Sequence, residues 1–226
     1  MEIGIIGSGN IGSSLAGHLA TLGHQVKIAN SRGPESLREI AEKTGANPVT
    51  VEAAADAKDL VIIAIPQKAM VKLPLDILSV SEAIIIDAGN YYPSRDGENT
   101  DIEEGMTDSE WTAKVIGHSV IKAFNNIVAP SLAEKAVPAA SSNRIALSVA
   151  GNDEEQKQVV MKLINEIGFD AIDGGLLSDS WRQQPGEPAY CQDLDQENLK
   201  AALQRADIAK RAENLAVADE MARPYL

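Results

Sequence analysis

Six residues near the start of the chain, Gly7-Ser8-Gly9-Asn10-Ile11-Gly12, have the types and spacing needed to hold a pyrophosphate. In such a loop Gly7 permits a tight turn, Gly9 lets the backbone approach the phosphates, and Gly12 lets the next helix pack closely on a strand. A helix starting there offers unpaired N–H groups and the positive end of its dipole to an anion. The G-x-G-x-x-G string is weak alone, so its context decides. Met1 to Ile6 is a β-branched apolar run leading into the loop. Ile11, Leu15 and Leu19 then recur at helical spacing, Gly23 is placed to end the helix, and Val26 to Ala29 returns as a strand. Strand, glycine loop, helix and strand form the first half of a dinucleotide-binding unit.

The end of the second strand chooses the nucleotide. An NAD site places Asp or Glu there to accept from the ribose hydroxyls. This chain has Asn30, Ser31 and Arg32 instead. Two neutral donors and a planar guanidinium suit a 2′-phosphate, so NADP(H) is the expected cofactor.

Stepping outward, the apolar runs predict the sheet that positions these residues. Leu60 to Ile65 is continuously apolar, as in a parallel strand buried on both faces, and ends in Pro66-Gln67. Ala83 to Asp87 ends in Ala88-Gly89-Asn90, and Ser119 to Phe124 delivers Asn125-Asn126. Pro48 to Val51, Arg144 to Ala150 and Phe169 to Ile172 read as further strands. A helix is expected from Pro34 to Gly45, and another after Asn152-Asp153, carrying Val159, Val160, Leu163, Ile164 and Ile167. The expected fold is α/β, a doubly wound Rossmann-type, mostly parallel sheet with a C-terminal helical tail. Residues 1–175 form the NADP-binding domain in this reading, and 176–226 a helical extension serving the substrate side or a dimer contact. Ligands bind beyond the carboxyl ends of such strands, which selects Asn90 and Asn125 as functional candidates. Lys122 is a third, although strand alternation leaves its direction open.

Charge and composition exclude other classes. A net charge of −13 on 226 residues argues against nucleic-acid partners and anionic membrane surfaces. The apolar runs are too short to span a bilayer. Cys191 is the single cysteine, which fits a reducing cytoplasm, and His18, His24 and His118 lack metal-ligand spacing. His118 precedes a strand and so falls at the edge opposite the ligands. Tyr91 to Glu110 is polar and acidic without periodicity, and is read as a loop that could be a lid or a surface excursion. Glu197 to Arg223 reads as an alanine-rich helix with Leu199, Leu203, Ala206 and Leu215 on one side, too polar for a core helix. It is expected to pack on the main domain or on a twin subunit, making a homodimer.

The glycine loop, Asn30-Ser31-Arg32, Val-Ile-Lys-Ala-Phe-Asn at 120–125, Val149-Ala150-Gly151-Asn152-Asp153 and Asp173-Gly174-Gly175-Leu176-Leu177-Ser178 together resemble the NADPH:deazaflavin (coenzyme F420-dependent NADP) oxidoreductases. They are also similar to the NADPH domain of the six-transmembrane metalloreductases. The likeness spans nearly all of residues 1–180; the tail beyond Trp181 and the Tyr91–Glu110 loop depart from both. It implies hydride transfer between NADP(H) and a flavin or deazaflavin stacked on the nicotinamide. It further implies that Gly7, Ser8, Gly9, Asn10 and Ile11 hold the pyrophosphate, and Ser31 and Arg32 the 2′-phosphate. Ile65, Pro66 and Asn90 would border the ribose and nicotinamide, with Ala123 and Asn125 near the reacting ring.

That chemistry agrees with an absence in the sequence. Reduction of a carbonyl or imine normally wants a proton donor beside the acceptor, and no acid–base pair is legible. Hydride exchange between stacked rings depends mainly on orientation. Lys122 or Tyr91 could still serve as an acid. Two alternatives stay open: an NADP-dependent reductase of a small ketoacid or imine, and a non-catalytic NADPH-binding sensor. In the first, about fifty residues after the sheet would be a short second domain.

Overall fold

The computed structural model describes residues 1–139 and 141–225. β1 (Glu2–Ile6), α1 (Asn10–Thr21), β2 (Gln25–Ala29), α2 (Arg38–Thr44), β3 (Asn47–Pro48) and α3 (Val51–Ala55) form the first half. β4 (Leu60–Ile63), α4 (Leu75–Leu78) and β5 (Ile84–Asp87) begin the second. Three helices, α5 (Pro93–Asp96), α6 (Thr100–Glu103) and α7 (Asp108–Ile116), precede β6 (Ile121–Lys122) and α8 (Ala129–Glu134). β7 (Ala146–Val149), α9 (Glu154–Ile167), β8 (Asp170–Asp173), α10 (Gln196–Arg205) and α11 (Arg211–Ala222) complete the chain.

The six-stranded sheet has the order β3-β2-β1-β4-β5-β6, all parallel. This is the doubly wound Rossmann order, with its switch point between β1 and β4. Strand alternation explains the continuous apolar runs. Leu60 and Ile62 of β4 join the core under α1, α8 and α9, while Val61 and Ile63 join the opposite core under α3, α4 and α7. Each such isoleucine or leucine, fully buried, contributes about 1.5–3 kcal/mol. β7 and β8 form a parallel pair that joins β6 through an antiparallel bridge between Lys122 and Ala150.

Several expectations change in detail. The third strand is confined to Asn47–Pro48, because Thr50 caps α3 and Val51 opens it. The sixth shrinks to Ile121–Lys122, because Phe124 turns out of the strand at φ 64°. Tyr91 to Glu110 is not a free loop. Asn99 caps α6, a reciprocal Thr107–Glu110 capping box starts α7, and Tyr91, Tyr92 and Ile102 are buried. α5 and α6 are single turns too short to show a period, and α7 buries Asp108, Ser109 and Thr112 beside Ile116, so its buried face is mostly polar.

The tail is corrected too. It breaks at Ala206, and its first part is a core helix: Leu199, Ala202 and Leu203 pack with Ala146 of β7, Ile172 of β8 and Ala189 from the segment before α10. The remainder behaves differently. Asp219 is the buried residue of α11 among those described, and Val217, Met221 and Tyr225 are exposed. No helix among the described residues is long and apolar enough to cross a membrane.

Candidate functional site

At the carboxyl end of β1 the backbone is built for an anion. Gly7 sits at φ 119°, and a Cβ there would meet the Ala64 carbonyl oxygen at 2.2 Å. A Cβ on Gly12 would meet the Gly7 carbonyl oxygen at 1.9 Å, so α1 approaches β1 as closely as only glycine allows. Gly9 differs: a Cβ there would meet nothing within 4 Å. No packing demand accounts for glycine at that position, and the space above it is free for a ligand. Gly9 caps α1 without a side-chain hydrogen bond, and the first turn carries no acidic residue. Among the described residues, the N–H groups of Ser8, Gly9, Asn10, Ile11 and Gly12 have no acceptor. Such a run of open donors fits a diphosphate.

The end of β2 completes this half. Asn30 is buried, and its amide donates to Ser8 Oγ at 3.1 Å and Ser36 Oγ at 3.0 Å, while its Oδ1 accepts from Arg32 N–H at 2.9 Å. Asn30 therefore ties the glycine loop to the β2 turn, with its own donors already used. Ser31 and Arg32 are exposed, and no carboxylate among the described residues pairs with the Arg32 guanidinium. That donor set fits a 2′-phosphate.

At the ends of β5 and β6 the contacts are dense. Asn125 Nδ2 donates to Asn90 Oδ1 at 3.0 Å, and Asn90 Nδ2 donates to the Asn125 carbonyl at 3.2 Å. Gln183, from the segment after β8, donates to Asn125 Oδ1 at 2.8 Å, and its carbonyl accepts from Asn125 Nδ2 at 2.7 Å. Ala123 is buried, and the next residue, Phe124, adopts a left-handed conformation costing about 1–2 kcal/mol. Ile65 and Pro66 lie half-buried beyond β4. Asn126 and Gln183 are both buried at this end of the sheet.

The structure settles the direction of Lys122. It is fully buried, donates to the Gly89 carbonyl and faces Asp87 Oδ2 at 3.4 Å. Its ammonium is thus directed at the Gly89 carbonyl and the Asp87 carboxylate in the interior. Tyr91 is likewise committed: its hydroxyl donates to Gly97 O at 2.8 Å, and burial with the nearby Glu103 raises its pKa. His118 lies beside Ser81 and Ser119, at the amino end of β6. Cys191 is half-buried, and burial pushes its thiol up to about 11.

Two functional candidates escaped the sequence reading. One is Gln183. The other is Asp108, whose Oδ2 accepts from Tyr91 N–H at 2.9 Å. Burial pushes the Asp108 carboxyl above the usual carboxylate range, and Lys122 and the Tyr91 N–H only partly oppose it. The Thr107-Asp108-Ser109-Glu110 capping box was the available signal for a helix start here.

Comparison with known proteins agrees with this geometry. The family model described as NADP oxidoreductase, coenzyme F420-dependent, matches residues 2–91. The Escherichia coli (strain K12) protein YjhV is 39% identical over 80 residues, which is 35% of this chain and 56% of YjhV. The match thus spans about half of that curated relative. The hypothetical protein SMa0349 from Sinorhizobium meliloti superposes with a TM-score of 0.73 at 31% identity, over 87% of this chain and 96% of its own. A candidate F420-dependent NADP-reductase from Arthrobacter sp. FB24 gives 0.61 at 24% identity, over 80% and 87% of the two chains. A reductive aminase from Aspergillus terreus, in complex with NADPH and ethyl levulinate, shares the fold alone, with a TM-score of 0.53 at 16% identity over 78% of this chain and 55% of that one.

Proposed function

The chain belongs to the coenzyme F420-dependent NADP oxidoreductase family, and from that premise we propose that it transfers a hydride between NADP(H) and a flavin-like or deazaflavin ring. The observation that carries the nucleotide half is the run of open N–H groups from Ser8 to Gly12, flanked by an unpaired Arg32. Gly7, Ser8, Gly9, Asn10 and Ile11 hold the pyrophosphate in this reading, and Ser31 and Arg32 hold the 2′-phosphate. Asn30 keeps the two loops in register from below. The nicotinamide, when bound, supplies the hydride.

Ile65 and Pro66 wall the ribose side of the pocket. Asn90, Ala123 and Asn125 border the ring. Their role is orientation, because a well-placed pair of reactants lowers the barrier by about 7–11 kcal/mol. Residues 176–226 form the acceptor side, joined to the ring end through Gln183 and Asn125.

NADPH titration tests the first half and anaerobic NADPH oxidation the second. Nanomolar to micromolar NADPH binding with clear discrimination against NADH is expected. Turnover confined to small ketoacids or imines would shift the assignment to that reductase class. Tight NADPH binding without any turnover would identify a sensor.

A further inference from the structure

The three residues that leave β5, Gly89-Asn90-Tyr91, have their backbone groups held by four ionisable side chains, Asp87 and Arg95 from the same stretch and Asp108 and Lys122 from α7 and β6. The Gly89 N–H donates to Asp87 Oδ1 at 2.9 Å. The Gly89 carbonyl accepts from Lys122 Nζ. The Asn90 carbonyl accepts from Arg95 Nη2. The Tyr91 N–H donates to Asp108 Oδ2 at 2.9 Å. Asp87 and Lys122 are fully buried, and Asp108 is 2% exposed.

The cage is braced from outside. Ser109 Oγ donates to Asp87 Oδ2 at 2.7 Å, and Arg95 pairs with Asp96 at 2.8 Å. Strand geometry does not need this investment. These side chains pair backbone groups that have left the strand ladder, and an apolar core of the same shape could bury the turn but could not hold those groups in one arrangement. The residue at the centre is Asn90, whose side chain projects to Asn125 and, through it, to Gln183.

We propose that Asp87, Lys122, Arg95 and Asp108 are positioning residues that fix the Asn90 backbone, so that its amide meets the nicotinamide end of the cofactor in one orientation. The inference rests on the NADP(H) reading above and assigns these residues no contact with the cofactor. The cage makes the ring end rigid while leaving the phosphate end to the glycine loop, so disturbing it separates the two ends of the ligand.

The test compares two probes, NADPH and adenosine 2′,5′-bisphosphate, which shares the adenine end and lacks the nicotinamide. Arg95 is partly exposed, and Arg95→Ala leaves the buried Lys122–Asp87 pair intact while removing the cation beside Asp96. It should weaken NADPH binding by about tenfold, the scale of one charged hydrogen bond, and change the bisphosphate by less than about twofold. Asp108→Leu should show the same selective loss. Asp108→Asn, which keeps an acceptor for the Tyr91 N–H, should restore most of it. Unchanged affinity for both probes in Arg95→Ala and Asp108→Leu would overturn the proposal while leaving the nucleotide reading intact. Equal losses for both probes would also overturn it, since that is what general loosening does. A wild-type chain that binds neither probe would overturn the nucleotide reading and the positioning role with it.

Discussion

The two ends of the candidate site are built on opposite principles. From Ser8 to Gly12 the backbone donors are open, and the neighbouring Arg32 has no carboxylate partner among the described residues. From Gly89 to Tyr91 the backbone groups are already taken by Asp87, Lys122, Arg95 and Asp108. The open end recruits a ligand by offering unsatisfied donors to its charge. The saturated end cannot recruit by that route, and is suited to hold a ring in place. Affinity should therefore reside mainly at one end and orientation at the other.

That contrast can be broken most severely at Lys122. Lys122→Met leaves Asp87 buried without its cation, and should cost about 3–5 kcal/mol of folding stability in a denaturant titration. Arg32→Glu should do the reverse. It should leave stability within about 0.5 kcal/mol, as for an exposed position, and cost about 1.5–3 kcal/mol of NADPH affinity by calorimetry. If Arg32→Glu binds NADPH normally, the open end is misassigned.

Gly12→Ala sharpens the account of the glycine loop. Alanine ordinarily stabilises a helix, yet here its Cβ would meet the Gly7 carbonyl oxygen at 1.9 Å. A net loss of about 1–3 kcal/mol is expected, together with weaker NADPH binding. A more stable Gly12→Ala would contradict the close approach of α1 to β1.

The smallest effect concerns pH. Burial raises the Asp108 carboxyl, so the native state holds that proton more tightly than the unfolded chain. Its contribution is whole below the ordinary aspartate value of about 4 and is lost as pH rises through the raised native value. Asp108→Asn should thus gain Tm on the wild type as pH increases across that window. A difference independent of pH would show that the carboxyl ionises as it does in water.

Much of the fold was legible because it rests on local patterns. β1, β4 and β5 are short apolar runs, and the glycine loop has its meaning only between a strand and a helix. Ser31 and Arg32 could be placed because the end of β2 follows from that unit. The cage was not legible, since Asp108 and Lys122 reach the Gly89–Tyr91 turn only when α7 and β6 have packed against β5, although Asp87 and Arg95 lie close to it in sequence. Lys122 shows the limit well: alternation places it on a strand, but its burial depends on the Asp87 carboxylate beside it. α6 and α7 begin at side-chain caps, which hydropathy does not register. α10 was misjudged because its buried face is only Leu199, Ala202 and Leu203, a narrow stripe on an otherwise polar helix.

Anaerobic NADPH oxidation, with a deazaflavin in one cuvette and FMN in another, tests the central claim most directly. The account predicts rapid oxidation dependent on at least one of the two rings, with NADH a much poorer donor. NADPH that binds yet is oxidised by neither ring would contradict hydride transfer to a stacked acceptor.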